Sequence, residues 1–133
     1  MSQENVELVR AAYDAYNREG ITGILRYLDP EVEWRNARES PDASVFIGHE
    51  GVVEWQGMVD AGFKDMYFEP ERIDQLPQGQ VLVSVRFRFR GPTSDVQVEV
   101  PFVHLMTWRD GKVTKFSMFT DKAEALKAAG LEE

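Results

Sequence analysis

The sequence predicts a single α+β domain in which a curved antiparallel sheet wraps around helices from the N-terminal half of the chain. Apolar residues recur at helical spacing in the first half, whereas in the second half they alternate with polar residues. A length of 133 residues is enough to bury one hydrophobic core and too short for two. The strand-like segment 96–109 is about twice the usual length, so we expect it to twist and bend.

Three helices are predicted before the sheet. The first has an apolar face, Ser2 as its N-cap and Gly20 at its C-terminal end. The residues of that face are Val6, Val9, Tyr13 and Tyr16. A second, short helix begins at Thr22 and ends at Asp29-Pro30, because proline cannot continue a helix. A third follows Gly48; its interior glycines each weaken it by about 1 kcal/mol relative to alanine, which suggests close packing.

The strands are predicted from alternation and turn residues. A short strand at 31–35 precedes a polar loop through Pro41, which we expect at the rim of the fold. Four longer strands follow at residues 67–76, 81–90, 96–109 and 113–120. Pro101 cannot donate to a ladder, so it marks a bulge or an edge position. Asp110-Gly111 supplies the positive φ angles of a tight hairpin turn.

A last helix is predicted from Lys122 to Ala129. Asp121 and Glu124 have the spacing of a capping box at its start. Gly130 fits the position after its end, where Leu131 can fold back on Leu126. Asp121 therefore has a structural role available to it.

Composition excludes several classes of function. Fifteen basic and twenty-three acidic side chains give a net charge of −8, which disfavours nucleic acid as a partner. The apolar runs are too short for a membrane span and the first residues lack a signal-peptide pattern, so we expect a cytoplasmic protein that does not bind membranes. The absence of cysteine excludes disulfides and thiolate chemistry. The two histidines share no spacing that would fix a metal triad, and no metal site is predicted.

Five segments carry a family resemblance that spans nearly the whole chain. They are residues 17–20 (NREG), 28–34 (LDPEVEW), 48–52 (GHEGV), 108–113 (WRDGKV) and 128–131 (AAGL). In order and spacing they resemble the nuclear transport factor 2-like superfamily, and within it the SnoaL-like and ketosteroid-isomerase-like proteins. The resemblance implies one SnoaL-like domain over residues 1–133. Its fold would be a cone of curved sheet with a pocket at the open end, and its assembly a homodimer through the outer sheet face.

The resemblance to ketosteroid isomerases does not extend to their catalytic residues. The carboxylate base of those enzymes would fall at Trp34. The tyrosine and the protonated aspartate of their oxyanion site would fall at Ala12 and His104. A steroid-isomerase mechanism is therefore disfavoured.

The resemblance to SnoaL-like polyketide cyclases implies two catalytic residues. The general-base aspartate of that family lies ten residues after the turn glycine, and Asp121 stands at that distance from Gly111. His104 matches a histidine on the preceding long strand, so it would be the polar partner of Asp121. Ser117 departs from the aromatic residue that those cyclases often carry.

Each of these residues also has a structural interpretation. Asp121 could cap the last helix, where backbone N–H groups would lower its pKa and make it a poor base. His104 could be a satisfied core histidine, and His49 fits the start of the third helix. Arg86, Arg88 and Arg90 share one strand face, which would be solvated or would face a dimer partner and then need acidic mates such as Glu99.

The predicted pocket lining consists of large apolar side chains suited to a flat ligand. Its members are Tyr16, Trp34, Trp55, Phe63, Phe102, Met106 and Met118. Ordinary core packing is an equally available explanation for each of them taken singly.

Two functions follow from these residues. The first is cofactor-free proton transfer, meaning cyclisation, isomerisation or dehydration of an apolar carbonyl compound bound in the pocket. The alternative is a non-catalytic module of the same fold that binds a ligand or forms dimers. A third possibility, dimerisation alone, predicts an apolar outer face and no cavity, and the arginines of residues 81–90 argue against such a face.

Overall fold

The computed structural model describes residues 3–36 and 45–130. The helices are α1 (Gln3–Glu19), α2 (Ile21–Ile24), α3 (Gly48–Gly62) and α4 (Lys122–Ala128). The strands are β1 (Leu28–Arg35), β2 (Val45–Ile47), β3 (Lys64–Gln75), β4 (Gln80–Arg90), β5 (Gln97–Arg109) and β6 (Lys112–Phe119). The predicted N-cap Ser2, the rim loop at Pro41 and the contact made by Leu131 lie outside the described residues.

The strands form one curved six-stranded sheet in the order β2-β1-β6-β5-β4-β3. The α+β fold class, with helices against a curved open sheet, is therefore confirmed. One detail differs from the antiparallel expectation: β1 runs parallel to β6, so the sheet is mixed. Alternation specifies which face of a strand is buried, but it leaves the identity and direction of the neighbouring strand open.

The predicted second helix is shorter than expected. After α2 the chain makes a 3₁₀ turn at Leu25–Tyr27 and enters β1 at Leu28. Pro30 thus lies inside a strand rather than at a helix end. It is tolerated there because the β1–β6 register is interrupted between Leu28 and Glu33, where a missing N–H breaks no ladder bond.

The two long strands β4 and β5 form an uninterrupted antiparallel pair from Gln80 opposite Thr107 to Arg90 opposite Gln97. Pro101 lies opposite Arg86 in this regular register, so it does not form a bulge between β4 and β5. It lies in the part of β5 that precedes the first β6 pairing at Val103, and is therefore an edge position on that side. Asp110 and Gly111 have φ angles of 53° and 77°, which confirms the predicted turn.

The helices α1 and α3 cover the inner face of the sheet. α1 packs against β3, and α3 packs against β1 and β2. Asn17 of α1 fixes the edge strand β3: its Nδ2 donates to the carbonyl oxygen of Phe68 at 2.7 Å, and its Oδ1 accepts from the N–H of Phe68 at 2.9 Å. The side-chain amide thereby takes the place of a neighbouring strand at this residue.

A glycine determines how closely α3 approaches β2. A Cβ added to Gly51 would lie 2.9 Å from the carbonyl carbon of Phe46, closer than real Cβ atoms approach. The expected close packing therefore occurs at Gly51. At Gly57 and Gly62 an added Cβ would meet no described atom within 4 Å.

The outer face of the sheet divides into an apolar and a charged part. α4 packs over a small second cluster formed by Leu82, Val103, Leu105 and Ala125. Further along β4, Arg86 pairs with Glu71 and Glu99, at 2.8 and 3.3 Å. Arg88 pairs with Glu69 and Glu99, and Arg90 with Asp65. The predicted homodimer through this face stays a prediction.

None of the described helices is long and apolar enough to cross a membrane.

Candidate functional site

A cavity lies between the helices and the inner face of the sheet. Its volume is about 50 Å³. The lining residues are Ala12, Tyr13, Tyr16, Ile24, Leu28, Trp34, Trp55, Phe68, His104, Met106, Trp108, Val113, Phe116 and Met118. The free space is therefore narrow and enclosed mainly by aromatic and aliphatic side chains.

The structure brings six of the residues predicted for the pocket together in this lining: Tyr16, Trp34, Trp55, His104, Met106 and Met118. Phe63 and Phe102 belong instead to an adjacent aromatic cluster around Phe87, with ring centroids 5.6 and 6.0 Å from that of Phe87. Both keep the predicted inward orientation but lie beyond the cavity along the β4–β5 hairpin.

Asp121 does not line the cavity. It is exposed and is the N-cap of α4, where its Oδ1 accepts from the N–H of Ala123 at 2.9 Å. The geometry therefore agrees with Asp121 as a helix cap. It does not place the carboxylate where it could reach a substrate in the cavity. Asp121 stands ten residues after Gly111, as the family resemblance requires. The strand ends at Phe119, however, and the cap turns the carboxylate toward the helix.

His104 and Tyr13 form the polar centre of the cavity wall. The Tyr13 Oη lies 2.7 Å from the His104 Nδ1, and the two rings stack with centroids 5.9 Å apart and an interplanar angle of 4°. Both side chains are buried. Burial lowers the pKa of His104 from 6.5 to about 3 and raises the pKa of Tyr13 well above 10, so both groups are neutral at pH 7.

The hydrogen bond between Tyr13 and His104 fits two tautomers of the neutral histidine. In one, the Tyr13 hydroxyl donates to Nδ1 and the imidazole carries its proton on Nε2; in the other, Nδ1–H donates to the Tyr13 Oη and Nε2 has a free lone pair. The Nε2 atom of His104 is buried and has no hydrogen-bond partner in the described chain. The histidine therefore holds either an unused donor or an unused acceptor at Nε2, depending on the tautomer.

Two indole nitrogen atoms of the lining also lack a hydrogen-bond partner. Four buried side-chain N or O atoms lack a hydrogen-bond partner within the described residues, and three of them are His104 Nε2, Trp34 Nε1 and Trp108 Nε1. The fourth, Arg88 Nε, is on the outer face and lies 3.5 Å from the Glu99 carboxylate. An unpaired buried donor costs about 1–3 kcal/mol, so such groups are uncommon without a partner.

The remaining polar groups of the lining are already paired. Tyr16 donates to Gln56 Oε1 at 2.6 Å, and Gln56 in turn donates to Asp60 at 2.8 Å. Burial raises the pKa of Tyr16 to about 12. Trp55 Nε1 donates to Asn36 Oδ1 at 2.8 Å.

His49 lies outside the lining and has a structural role. Its Nε2 lies 2.9 Å from the carbonyl oxygen of Leu28 and donates to it, which ties the start of α3 to the start of β1. This agrees with the helix-start interpretation of the sequence.

Among the residues that the structure describes, the lining contains no Asp, Glu, Lys or Arg. Among the described residues, no group of three or more His, Cys, Asp or Glu side chains could hold a metal ion. His104, with its low pKa, is a weak base at neutral pH, and Tyr13 and Tyr16 do not ionise there. The arrangement can donate hydrogen bonds to an oxygen atom but has no strong base facing the cavity.

The family follows from a comparison of the sequence with family models. The model of the SnoaL-like domain matches residues 9–116. The chain belongs to the SnoaL-like family. This match extends from α1 into β6 and includes every residue of the cavity lining except Met118.

Solved structures of SnoaL-like and related proteins share this fold. A nuclear transport factor 2-like protein of unknown function from Burkholderia pseudomallei K96243 is 24% identical, with a TM-score of 0.77 over 96% of this chain and 97% of that one. TerC, co-crystallised with polyporic acid, is 25% identical, with a TM-score of 0.77 over 92% and 95%. A candidate SnoaL-like polyketide cyclase from Jannaschia sp. CCS1 is 22% identical, with a TM-score of 0.73 over 96% and 94%. No curated protein matches this SnoaL-like chain in sequence.

Sequence reasoning missed two functional groups of the site. Tyr13 was assigned to the apolar face of the first helix, and its pairing with His104, 91 positions away, depends on how α1 crosses the sheet. Trp108 has the same parity as His104 and Met106 on β5, so it could have been included in the lining. Its unpaired N–H, in contrast, can be seen only in the structure.

Proposed function

We propose that this SnoaL-like protein binds a small, neutral, mostly apolar molecule with an oxygen atom that accepts a hydrogen bond from His104 Nε2. The observation that carries the proposal is the buried His104 Nε2 without a hydrogen-bond partner among the described residues, in a lining whose described residues include no charged side chain. An ionised ligand would enter this cavity without a counter-charge, which is unfavourable in an apolar environment.

Tyr13 supports this role by fixing the histidine. With the Tyr13 hydroxyl as the donor to Nδ1, the histidine carries its proton on Nε2, and the stacked Tyr13 ring holds the imidazole in one orientation. Because the pKa of His104 is about 3, the imidazole is a neutral donor throughout the physiological range. Such a donor binds carbonyl or ether oxygens without the desolvation penalty of a charge.

The size of the cavity restricts the ligand. Its volume of about 50 Å³ is smaller than the roughly 150 Å³ of an apolar cavity that holds benzene, so even a single ring would require lining side chains to move. The crystal form of TerC with polyporic acid supports the view that this fold admits a small organic molecule.

Proton transfer on a carbonyl compound is the more specific form of this proposal. His104 would then stabilise the oxygen on which negative charge develops. The same reaction needs a base near the substrate. No carboxylate belongs to the described part of the lining, and Asp121 is occupied as the cap of α4. Ligand binding is therefore better supported by the geometry than cyclisation, isomerisation or dehydration.

The experiment measures how His104 affects the binding of two ligands that differ by one oxygen atom. Cyclohexanone and cyclohexane differ by a carbonyl oxygen and are titrated into the wild type and into His104→Phe, with binding followed by NMR at the methyl groups of Met106 and Met118. We expect His104→Phe to weaken cyclohexanone binding roughly tenfold, as expected for one buried hydrogen bond, and to leave the affinity for cyclohexane nearly unchanged. The proposal fails if neither probe binds, or if the variant weakens both equally.

A further inference from the structure

The cavity comes closest to solvent at one pair of side chains. Among the described residues that line it, all are buried except Tyr16 and Ile24, which are half-buried. The aromatic and aliphatic groups behind these two have almost no contact with solvent. The shortest route from solvent into the cavity therefore runs past Tyr16 and Ile24.

Tyr16 lies where the two helices over the cavity are separated. α1 packs against β3, at one edge of the sheet, and α3 packs against β1 and β2, at the other edge. The cavity lies between the helices and is lined from the central strands by residues such as His104 of β5 and Phe116 of β6. An opening between α1 and α3 would therefore lead into the cavity without any change in the sheet.

A hydrogen bond joins the two helices across this gap. The Tyr16 hydroxyl of α1 donates to Gln56 Oε1 of α3 at 2.6 Å. The Tyr16 ring also packs edge-on against Phe68, with centroids 5.6 Å apart and an interplanar angle of 68°. Because burial raises the pKa of Tyr16 to about 12, the hydroxyl keeps its proton at neutral pH and stays a donor. The bond thus holds the Tyr16 side chain between the cavity and solvent.

Asp60 fixes the direction of this bond. Gln56 Nε2 donates to Asp60 Oδ1 at 2.8 Å, four residues further along α3. A carboxylate only accepts hydrogen bonds, so the Gln56 amide turns its NH₂ group toward Asp60 and its oxygen toward Tyr16. Asp60 is exposed and does not line the cavity. The three side chains therefore form a row of hydrogen bonds from the cavity to the surface.

We propose that Tyr16 is the gate of the cavity, and that its hydrogen bond to Gln56, oriented by Asp60, holds the gate closed. When this bond breaks and the Tyr16 side chain turns toward solvent, a small neutral molecule enters between α1 and α3. The space of the tyrosine ring is then added to a cavity that is otherwise too small for a ring-sized ligand. The inference goes beyond the proposed function, because it concerns entry and does not depend on the contact at His104.

Acrylamide quenching of tryptophan fluorescence measures access to the cavity. All three tryptophans of the chain, Trp34, Trp55 and Trp108, line it, so the bimolecular quenching constant reports how readily a small neutral molecule reaches them. We expect Tyr16→Phe to raise this constant about fivefold, as the loss of one hydrogen bond from the closed state would. Asp60→Ala, which leaves every lining side chain in place, should raise it by a smaller factor.

The matched control is Tyr13→Phe. It makes the same change three residues earlier on α1 and removes a bond of similar length, 2.7 Å to His104, but leaves the bond between Tyr16 and Gln56 intact. Its quenching constant should stay near that of the wild type. Equal increases in the two variants would overturn the gate, because acrylamide would then enter through a general loosening of the fold. An unchanged constant in Tyr16→Phe would overturn it as well.

Urea distinguishes the opening of the gate from unfolding. Turning one side chain exposes little surface, so the wild-type quenching constant should be nearly independent of urea below the unfolding transition. Entry through unfolding would instead make the constant rise steeply with urea, and that result would also overturn the gate. Cyclohexanone binding at His104 is measured separately, so a failure of the gate and a failure of the proposed function are distinguishable.

Discussion

The inner and outer faces of β4 differ in how their polar groups are satisfied. On the inner face, Val83, Val85 and Phe87 are buried among apolar neighbours. On the outer face, alternate positions hold Arg86 and Arg88, each in ion pairs with glutamates of the strands on both sides. The arginines of this strand near solvent are thus paired, whereas the buried Nε2 of His104, on the adjacent strand β5, has no partner among the described residues.

This difference indicates where the fold departs from ordinary packing. Unpaired polar atoms at a surface cost little because water can reach them, but in the interior each one costs about 1–3 kcal/mol. Among the described residues, three such nitrogen atoms belong to side chains that line the cavity. On the outer face the corresponding atom is Arg88 Nε, which lies 3.5 Å from the Glu99 carboxylate.

The largest expected effect comes from removing an inner side chain of β4. Phe87 is 4% exposed and stacks on Phe68 at 4.4 Å, so Phe87→Ala should lower the free energy of unfolding by about 3–5 kcal/mol. The adjacent outer variant Arg86→Ala should lower it far less, because its ion pairs are partly exposed. Urea denaturation of both variants measures the two values, and similar losses would contradict the contrast between the faces.

A second prediction concerns the pH dependence of stability. Because the folded pKa of His104, about 3, lies below its unfolded value near 6.5, the unfolded chain binds one more proton between these values. The free energy of unfolding should therefore fall on acidification from about pH 6.5 toward pH 3, by about 1.4 kcal/mol per pH unit within this window. Urea denaturation at a series of pH values measures the slope.

The control for this slope is His104→Phe. Carboxylates titrate in the same range, but their contribution is common to both proteins, so the difference between the two slopes belongs to His104. Above pH 6.5 the difference should disappear. Parallel curves at all pH values would mean that the histidine is not held neutral by burial.

The smallest of these effects is expected for Tyr13→Phe. The substitution leaves His104 Nδ1 without its hydrogen bond at 2.7 Å and should lower the free energy of unfolding by about 1–3 kcal/mol. Tyr67, with 44% of its surface exposed, is the matched control, and Tyr67→Phe should change stability by less than about 0.5 kcal/mol. Equal effects would show that the buried hydroxyl contributes no more than an exposed one.

Sequence patterns predicted the architecture because each depends on local periodicity. Alternation along residues 81–90 and 96–109 identified the inner face, and with it His104 and Met106 in the cavity. The parallel pairing of β1 with β6 could not be predicted, since it depends on where distant strands meet. The position of Asp121 was open for a related reason: the same Asp-x-x-Glu pattern fits a base and a cap, and only the direction of the side chain distinguishes them.

The bond between Asn17 and Phe68 has a consequence for the behaviour of the protein at high concentration. An edge strand exposes N–H and C=O groups with which another chain can pair, and such edges promote aggregation. Asn17 occupies both backbone groups of Phe68 in the middle of β3. A residue of the first helix thus interrupts the row of free groups along this edge, and opposes the growth of intermolecular β-structure from it.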